Sequence, residues 1–120
     1  MGDEREQSRE KERACSRPVR ESLAIIEKCY RENLSLDEIC GQIAVSKNYF
    51  CYLFKREMGM SLWNYLTVVR IRRAKELLEK TELLSYEVAF QVGYDNPSYF
   101  SRIFKRETGM TPNEYRLAKK

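Results

Sequence analysis

The chain carries one message twice. Residues 48–66, NYFCYLFKREMGMSLWNYL, return fifty positions later as residues 98–116, SYFSRIFKRETGMTPNEYR. Aligning 46–66 with 96–116 pairs Tyr49 with Tyr99, Phe50 with Phe100, Phe54 with Phe104 and Tyr65 with Tyr115. It also pairs Lys55-Arg56-Glu57 with Lys105-Arg106-Glu107 and Gly59-Met60 with Gly109-Met110, so nine of 21 positions agree. Upstream, after a one-residue shift, Glu38-Ile39-Cys40 and Gln42-Ile43 parallel Glu87-Val88-Ala89 and Gln91-Val92. A chain of 120 residues has room for one compact domain, or for two very small ones that share an element.

Capping residues and glycines divide the chain into helices. Pro18 opens a first helix with Leu23, Ile26 and Tyr30 on one face, and Asn33 can close it. Ser35-Leu36-Asp37-Glu38 is a capping box that starts the second, with Ile39 and Ile43 on one side. Ser46 caps a third, which Gly59 ends as a natural left-handed stop. Ser61 begins the longest pattern, running to about Lys80 without Gly or Pro. Then Ser85 starts a short helix that Gly93 ends, Asn96-Pro97 starts another that Gly109 ends, and Thr111 to Glu114 is a capping box on a last short one.

The expected fold is therefore all-α, with seven short helices and no convincing strand. Each repeat reads as a short helix, a turn of three to four residues and a longer helix, the helix-turn-helix pattern. The first unit covers about 35–59, a long connecting helix about 61–81, and the second unit about 85–109, inside a domain spanning 18–120. Residues 1–17 hold five basic and five acidic side chains, few apolar ones and no periodicity, and read as a flexible linker or tail.

Composition removes several function classes. There is no histidine, so neither a Ser-His-Asp nor a Cys-His arrangement is available, and no phosphate-cradling or dinucleotide glycine pattern occurs. Cys15, Cys29, Cys40 and Cys51 are at least eleven residues apart, with no CxxC pair, and read as reduced, structural thiols. The expectation is no enzyme, no cofactor and no bound metal. No window approaches the roughly 18 to 20 apolar residues of a membrane span, and the N-terminus lacks the apolar core of a signal peptide, which points to a cytoplasmic protein. A net charge of +4 and a pI near 8.9 suit a polyanionic partner.

The longer helices have two faces. Phe50, Leu53 and Phe54, like Phe100, Ile103 and Phe104, recur at i, i+3, i+4 and should point inward. The opposite face carries Lys47, Asn48, Cys51, Tyr52 and Lys55 in the first unit, and Pro97, Ser98, Ser101, Arg102 and Lys105 in the second. In a helix-turn-helix, outward side chains near the start of the second helix meet base edges in the major groove. Arg102 suits a guanine and Asn48 an adenine, while Lys55, Lys105, Arg106 and Arg116 are candidates for phosphate contacts. Segment 96–120 concentrates six basic residues against two acidic ones. A connecting helix of about twenty residues spans about 30 Å, close to the roughly 34 Å repeat of DNA, which would suit two reading helices in successive major grooves.

Several of these positions together carry a family likeness. Ala89-x-x-Val92-Gly93-Tyr94, Tyr99-Phe100-Ser101-Arg102-x-Phe104-Lys105, Gly109-x-Thr111-Pro112 and Tyr115-Arg116, with Arg70-Ile71 and Ala74-x-x-Leu77-Leu78 before them, resemble the DNA-binding domain of the AraC/XylS transcription regulators. The resemblance covers about residues 19–118. It implies a bacterial transcription regulator domain that binds asymmetric double-stranded promoter DNA and acts, usually as an activator, on RNA polymerase. It also implies base reading from Asn48, Cys51, Tyr52, Ser98, Ser101 and Arg102. An N-terminal sensor or receiver domain is expected to be absent from this chain, and the wording of the repeats is similar to the response-regulator branch. Three departures stand out: Cys51 and Tyr52 are poor hydrogen-bond readers, Gly41 lies mid-helix, and Ala44 stands where the second unit has Gly93. The competing readings are a helical protein-interaction module without specific DNA reading, and a cysteine alkyl acceptor built on Cys15.

Overall fold

The structure, a computed structural model, describes residues 15–120. Among the described residues it holds seven helices and no strand: α1 Arg17–Cys29, α2 Leu36–Ile43, α3 Lys47–Met58, α4 Leu62–Lys80, α5 Ser85–Gln91, α6 Pro97–Thr108 and α7 Pro112–Ala118. The all-α expectation holds. The chain divides into two compact units. One joins the described residues up to Cys29 with Leu34–Leu66, and the other joins Tyr30–Asn33 with Thr67–Lys120.

In the first unit, α1 packs on α2 and α3. Their apolar stripes supply the buried residues Val19, Leu23, Ile26, Ile39, Ile43, Phe50 and Phe54. Burying a side chain of this size contributes about 1.5–3 kcal/mol, so this interior, rather than helix propensity, holds three short helices together. Of the expected tail, residues 1–14 lie outside the described residues, and the three that follow are part of the fold. Cys15 is buried with its Sγ 3.7 Å from Met58 Sδ, the Ser16 amide donates to Glu57 Oε1 at 2.7 Å, and α1 already begins at Arg17. The charged residues before it mask Cys15 in a composition reading, yet a cysteine packs as a small apolar group.

Helix starts follow the capping chemistry with one exception. Ser35, Ser46, Asn96 and Thr111 accept hydrogen bonds from the amides of Glu38, Tyr49, Tyr99 and Glu114. At α5 Ser85 is the first helical residue, as expected, and supplies no cap. The preceding Leu84 occupies the cap position, where its amide donates to Glu87 Oε1 at 2.9 Å. The acidic half of a capping box thus acts without a capping hydroxyl. Gly59 and Gly109 end α3 and α6 in left-handed conformation, with φ of 78° and 83°.

The second unit buries Ala74 and Leu78 of α4 against Val88, Ala89, Val92, Phe100, Ile103, Phe104 and Tyr115. Its aromatic packing repeats that of the first. Phe50 and Phe54 stack at 5.7 Å and 51°, and Tyr65 meets Phe54 edge-on at 5.9 Å. Phe100 and Phe104 stack at 5.8 Å and 51°, and Tyr115 meets Phe104 edge-on at 5.5 Å. The repeat in the sequence is therefore a repeat of packing, in the edge and tilted geometries that aromatic rings prefer.

The two turns differ. Residues 44–46 link α2 to α3, whereas 92–96 link α5 to α6, one residue beyond the expected three to four. Both close with the same backbone bond, from the Val45 amide to the Cys40 carbonyl at 3.2 Å and from the Tyr94 amide to the Ala89 carbonyl at 2.9 Å. The one-residue shift between the repeats is therefore an insertion after that bond, and it follows a buried tyrosine where the first unit has a valine.

Candidate nucleic-acid interface

The inward faces lie as the periodicity requires: Phe50, Phe54, Phe100 and Phe104 are fully buried, and Leu53 and Ile103 nearly so. This fixes the rotation of α3 and α6 within their own units, and hence which side chains look outward. On α3, Lys47, Asn48, Cys51, Tyr52 and Lys55 are all exposed. On α6, Ser98, Arg102, Lys105 and Arg106 are exposed, and Pro97 and Ser101 are half-buried. Arg106 apart, each set falls at i, i+1, i+4, i+5 and i+8, one continuous stripe along the helix.

The side chains in these stripes are partly organised already. Lys47 Nζ reaches Asp37 Oδ1 at 2.8 Å, and that hydrogen bond raises the lysine pKa above its ordinary value. Arg56 Nη1 donates to the Tyr52 hydroxyl at 3.2 Å, with its guanidinium 6.0 Å from the ring centroid. On α6 the Arg102 guanidinium lies 5.9 Å from the ring centroid of Tyr99, three residues earlier. Arg106 pairs with Glu107 at 3.2 Å.

One proposed phosphate contact has another role. Arg116 is half-buried, and its Nε and Nη2 donate to the carbonyls of Leu78 at 3.0 Å and Thr81 at 3.3 Å. It caps the C-terminal end of α4, where unpaired carbonyls and the negative end of the helix dipole favour a cation. Three residues of the surface escaped the sequence reading. Arg56 aligns with Arg106, a signal that was available, and Tyr49 and Tyr99 are repeated aromatics that prove half-exposed beside the stripes.

Chemically, these stripes offer what a duplex groove requires: a guanidinium able to donate two bonds, an amide that both donates and accepts, hydroxyls, and lysines one or two turns further along. Among the described residues no cluster of acidic and cysteine side chains could hold a metal ion, and no helix is long and apolar enough to cross a membrane.

Comparison with known proteins agrees with this geometry. A family profile described as a helix-turn-helix domain matches residues 39–118. The transcriptional activator RhaR of Salmonella dublin is 38% identical over 84 residues, 70% of this chain and 30% of that protein. This chain spans about a third of the length of the curated relatives it matches. The C-terminal domain of AraT, a response regulator from Geobacillus stearothermophilus, superposes with a TM-score of 0.84 at 38% identity, covering 88% of each chain. The DNA-binding domain of the global transcriptional factor AdpA, solved in complex with a target DNA, gives 0.80 at 26% identity over 86% of this chain and 93% of that one. By its matched residues, its paired helix-turn-helix units and these neighbours, the chain belongs to the AraC-type helix-turn-helix family of DNA-binding transcription regulators.

Proposed function

We propose that this domain recognises an asymmetric promoter sequence in double-stranded DNA, with α3 and α6 as its two reading helices, each in a major groove and the two grooves successive. The observation that carries this is the paired stripe: two helices with the same aromatic packing turn the same register positions away from their cores, and both stripes carry polar and basic side chains. Arg102 and Asn48 are the principal base readers, supported by Ser98 and Ser101. Cys51 and Tyr52 contribute apolar contact with thymine methyls. Lys47 and Pro97, at the starts of α3 and α6, complete the base-facing set, and Lys55, Lys105 and Arg106 hold the phosphates.

The regulator is an activator in this reading, and RNA polymerase is its protein partner. The activator RhaR among its relatives supports this. So does a surface on the second unit that no phosphate would favour: Leu84, Tyr86 and Phe90 are exposed, and residues 82–95 hold Glu82, Glu87 and Asp95 with no basic side chain. The likeness to a response-regulator domain supports a longer bacterial regulator in which a receiver or sensor domain accompanies this one, acting on the nucleoid in the cytoplasm.

Selection of bound duplexes from a random library with this chain, followed by titration of the winner at several salt concentrations, tests the reading. The expected motif is bipartite, its parts about one helical turn apart. Arg102→Ala should then cost about 1–3 kcal/mol at a single base position. No enrichment over non-specific binding would favour a helical protein-interaction module instead.

A further inference from the structure

The second unit contains a row of side chains that the base-reading role leaves unexplained. Arg70 is anchored by backbone: its Nε donates to the Tyr30 carbonyl at 2.8 Å and its Nη2 to the Glu32 carbonyl at 3.0 Å. Its guanidinium lies 5.1 Å from the ring centroid of Tyr94. Tyr94 is buried, 5.5 Å from Phe100 and 5.9 Å from Tyr99. The Tyr99 ring, half-exposed, carries the Arg102 guanidinium at 5.9 Å. The order is cation, ring, ring, cation, fixed at its inner end and free at its outer end.

We propose that Tyr99 is a positioning residue for base recognition, the outer ring of this anchored row, which holds the Arg102 guanidinium ready for a guanine edge. The proposal rests on the reading of Arg102 as a base contact. An arginine on an open helix face samples many rotamers, and a bidentate bond to O6 and N7 requires a few of them. The negative face of a tyrosine ring attracts the guanidinium plane and narrows that range. The ring serves only if it is itself held, and Tyr94, wedged between Phe100 and Arg70, holds it. Burial raises the Tyr94 phenol pKa above its ordinary value.

Among its described residues the first unit has no such row. Val45 occupies the place of Tyr94, and Tyr52 aligns with Arg102, its hydroxyl already accepting from Arg56. Discrimination should accordingly be sharper in the half-site that α6 reads.

The test uses the whole chain and the duplex selected from the random library. The measured quantity is the ratio of Kd values for that duplex and for one altered at the Arg102 base pair. Tyr99→Phe keeps the ring and should keep the ratio. Tyr99→Leu should narrow it by about two- to five-fold, the worth of an exposed cation–π contact, with Tm and the salt slope unchanged. Added to Arg102→Ala, Tyr99→Leu should narrow it no further, because both changes remove one interaction. An unchanged ratio in Tyr99→Leu beside a collapsed ratio in Arg102→Ala overturns the proposal alone. So does an equal loss of affinity for every duplex in Tyr99→Leu, which would make Tyr99 a backbone contact. An unchanged ratio in Arg102→Ala overturns the base-reading role and this proposal with it.

Discussion

Gly93 lies so close to Tyr30 that a Cβ added to it would stand 2.8 Å from the Tyr30 carbonyl oxygen. The same atom would be 3.0 Å from Arg70 Nε, which donates to that carbonyl, and 3.1 Å from the Arg31 carbonyl. With φ at 105°, the residue also has a backbone conformation that L side chains avoid. Gly93→Ala therefore combines strain of about 1–2 kcal/mol with the loss of a charged hydrogen bond worth about as much, for a total of about 3 kcal/mol. Urea unfolding checks this, and an unshifted midpoint would show that the close approach is not needed.

In the first unit, α2 has its glycine three residues away from where the backbone calls for one. Gly41 is in the middle of α2, exposed, and an added Cβ would meet nothing within 4 Å. Ala44, which ends that helix, is the one non-glycine residue with positive φ among the described residues, at 58°. Gly41→Ala should stabilise the helix by about 0.5–1 kcal/mol, and Ala44→Gly should relieve left-handed strain of similar size. The double variant has the same composition as the natural chain, and its thermal midpoint is expected to rise by several degrees. A lower midpoint would show that the turn tolerates alanine without cost.

These cases mark what the sequence could reveal. Caps at Ser35, Ser46, Asn96 and Thr111, the stops at Gly59 and Gly109, and the inward faces of α3 and α6 are local signals, set by residues within one or two turns. The outward stripes followed from them, because a helix with a fixed buried face has its exposed face fixed as well. The bonds of Arg116 within the fold were not legible, because its acceptors lie 38 and 35 residues earlier in the chain. Tyr99 was visible as a repeated residue, but its packing on Tyr94 was not, because the first unit has Val45 at that place in the turn. Cys15 was hidden because composition over seventeen residues averages away one buried side chain.

Tyr115 links stability to alkaline pH. Its hydroxyl donates to Glu79 Oε2 at 2.7 Å. Burial first, then that hydrogen bond and the nearby carboxylate charge, disfavour the phenolate and push the pKa up to about 12. An unfolded tyrosine titrates near 10, so the folded state holds the proton more tightly. The stabilisation is complete below about pH 10 and is lost as pH rises through about 12. Between about pH 8 and about pH 11 the natural chain should lose about 1 kcal/mol more stability than Tyr115→Phe, read from urea midpoints. Parallel losses in both proteins would show that the phenol keeps its ordinary pKa in the fold.

Lys105 and Arg116 are both basic residues near the C-terminus, and the structure gives them opposite settings. Lys105 is exposed on the α6 stripe, whereas Arg116 reaches under the end of α4 to the carbonyls of Leu78 and Thr81. Removing Arg116 leaves two helix-end carbonyls without their charged donor, so Arg116→Ala should cost about 1–2 kcal/mol of stability. Removing Lys105 exposes nothing and should change stability by less than about 0.5 kcal/mol. On DNA the order reverses. Abolishing one lysine–phosphate ion pair lowers the slope of log Kd against log salt by about one unit. Lys105→Ala should show that drop across all sequences, and Arg116→Ala, assayed well below its melting temperature, should keep the full slope. A reduced slope in Arg116→Ala at unchanged stability would return Arg116 to the phosphate-binding set and take from it the role of cap.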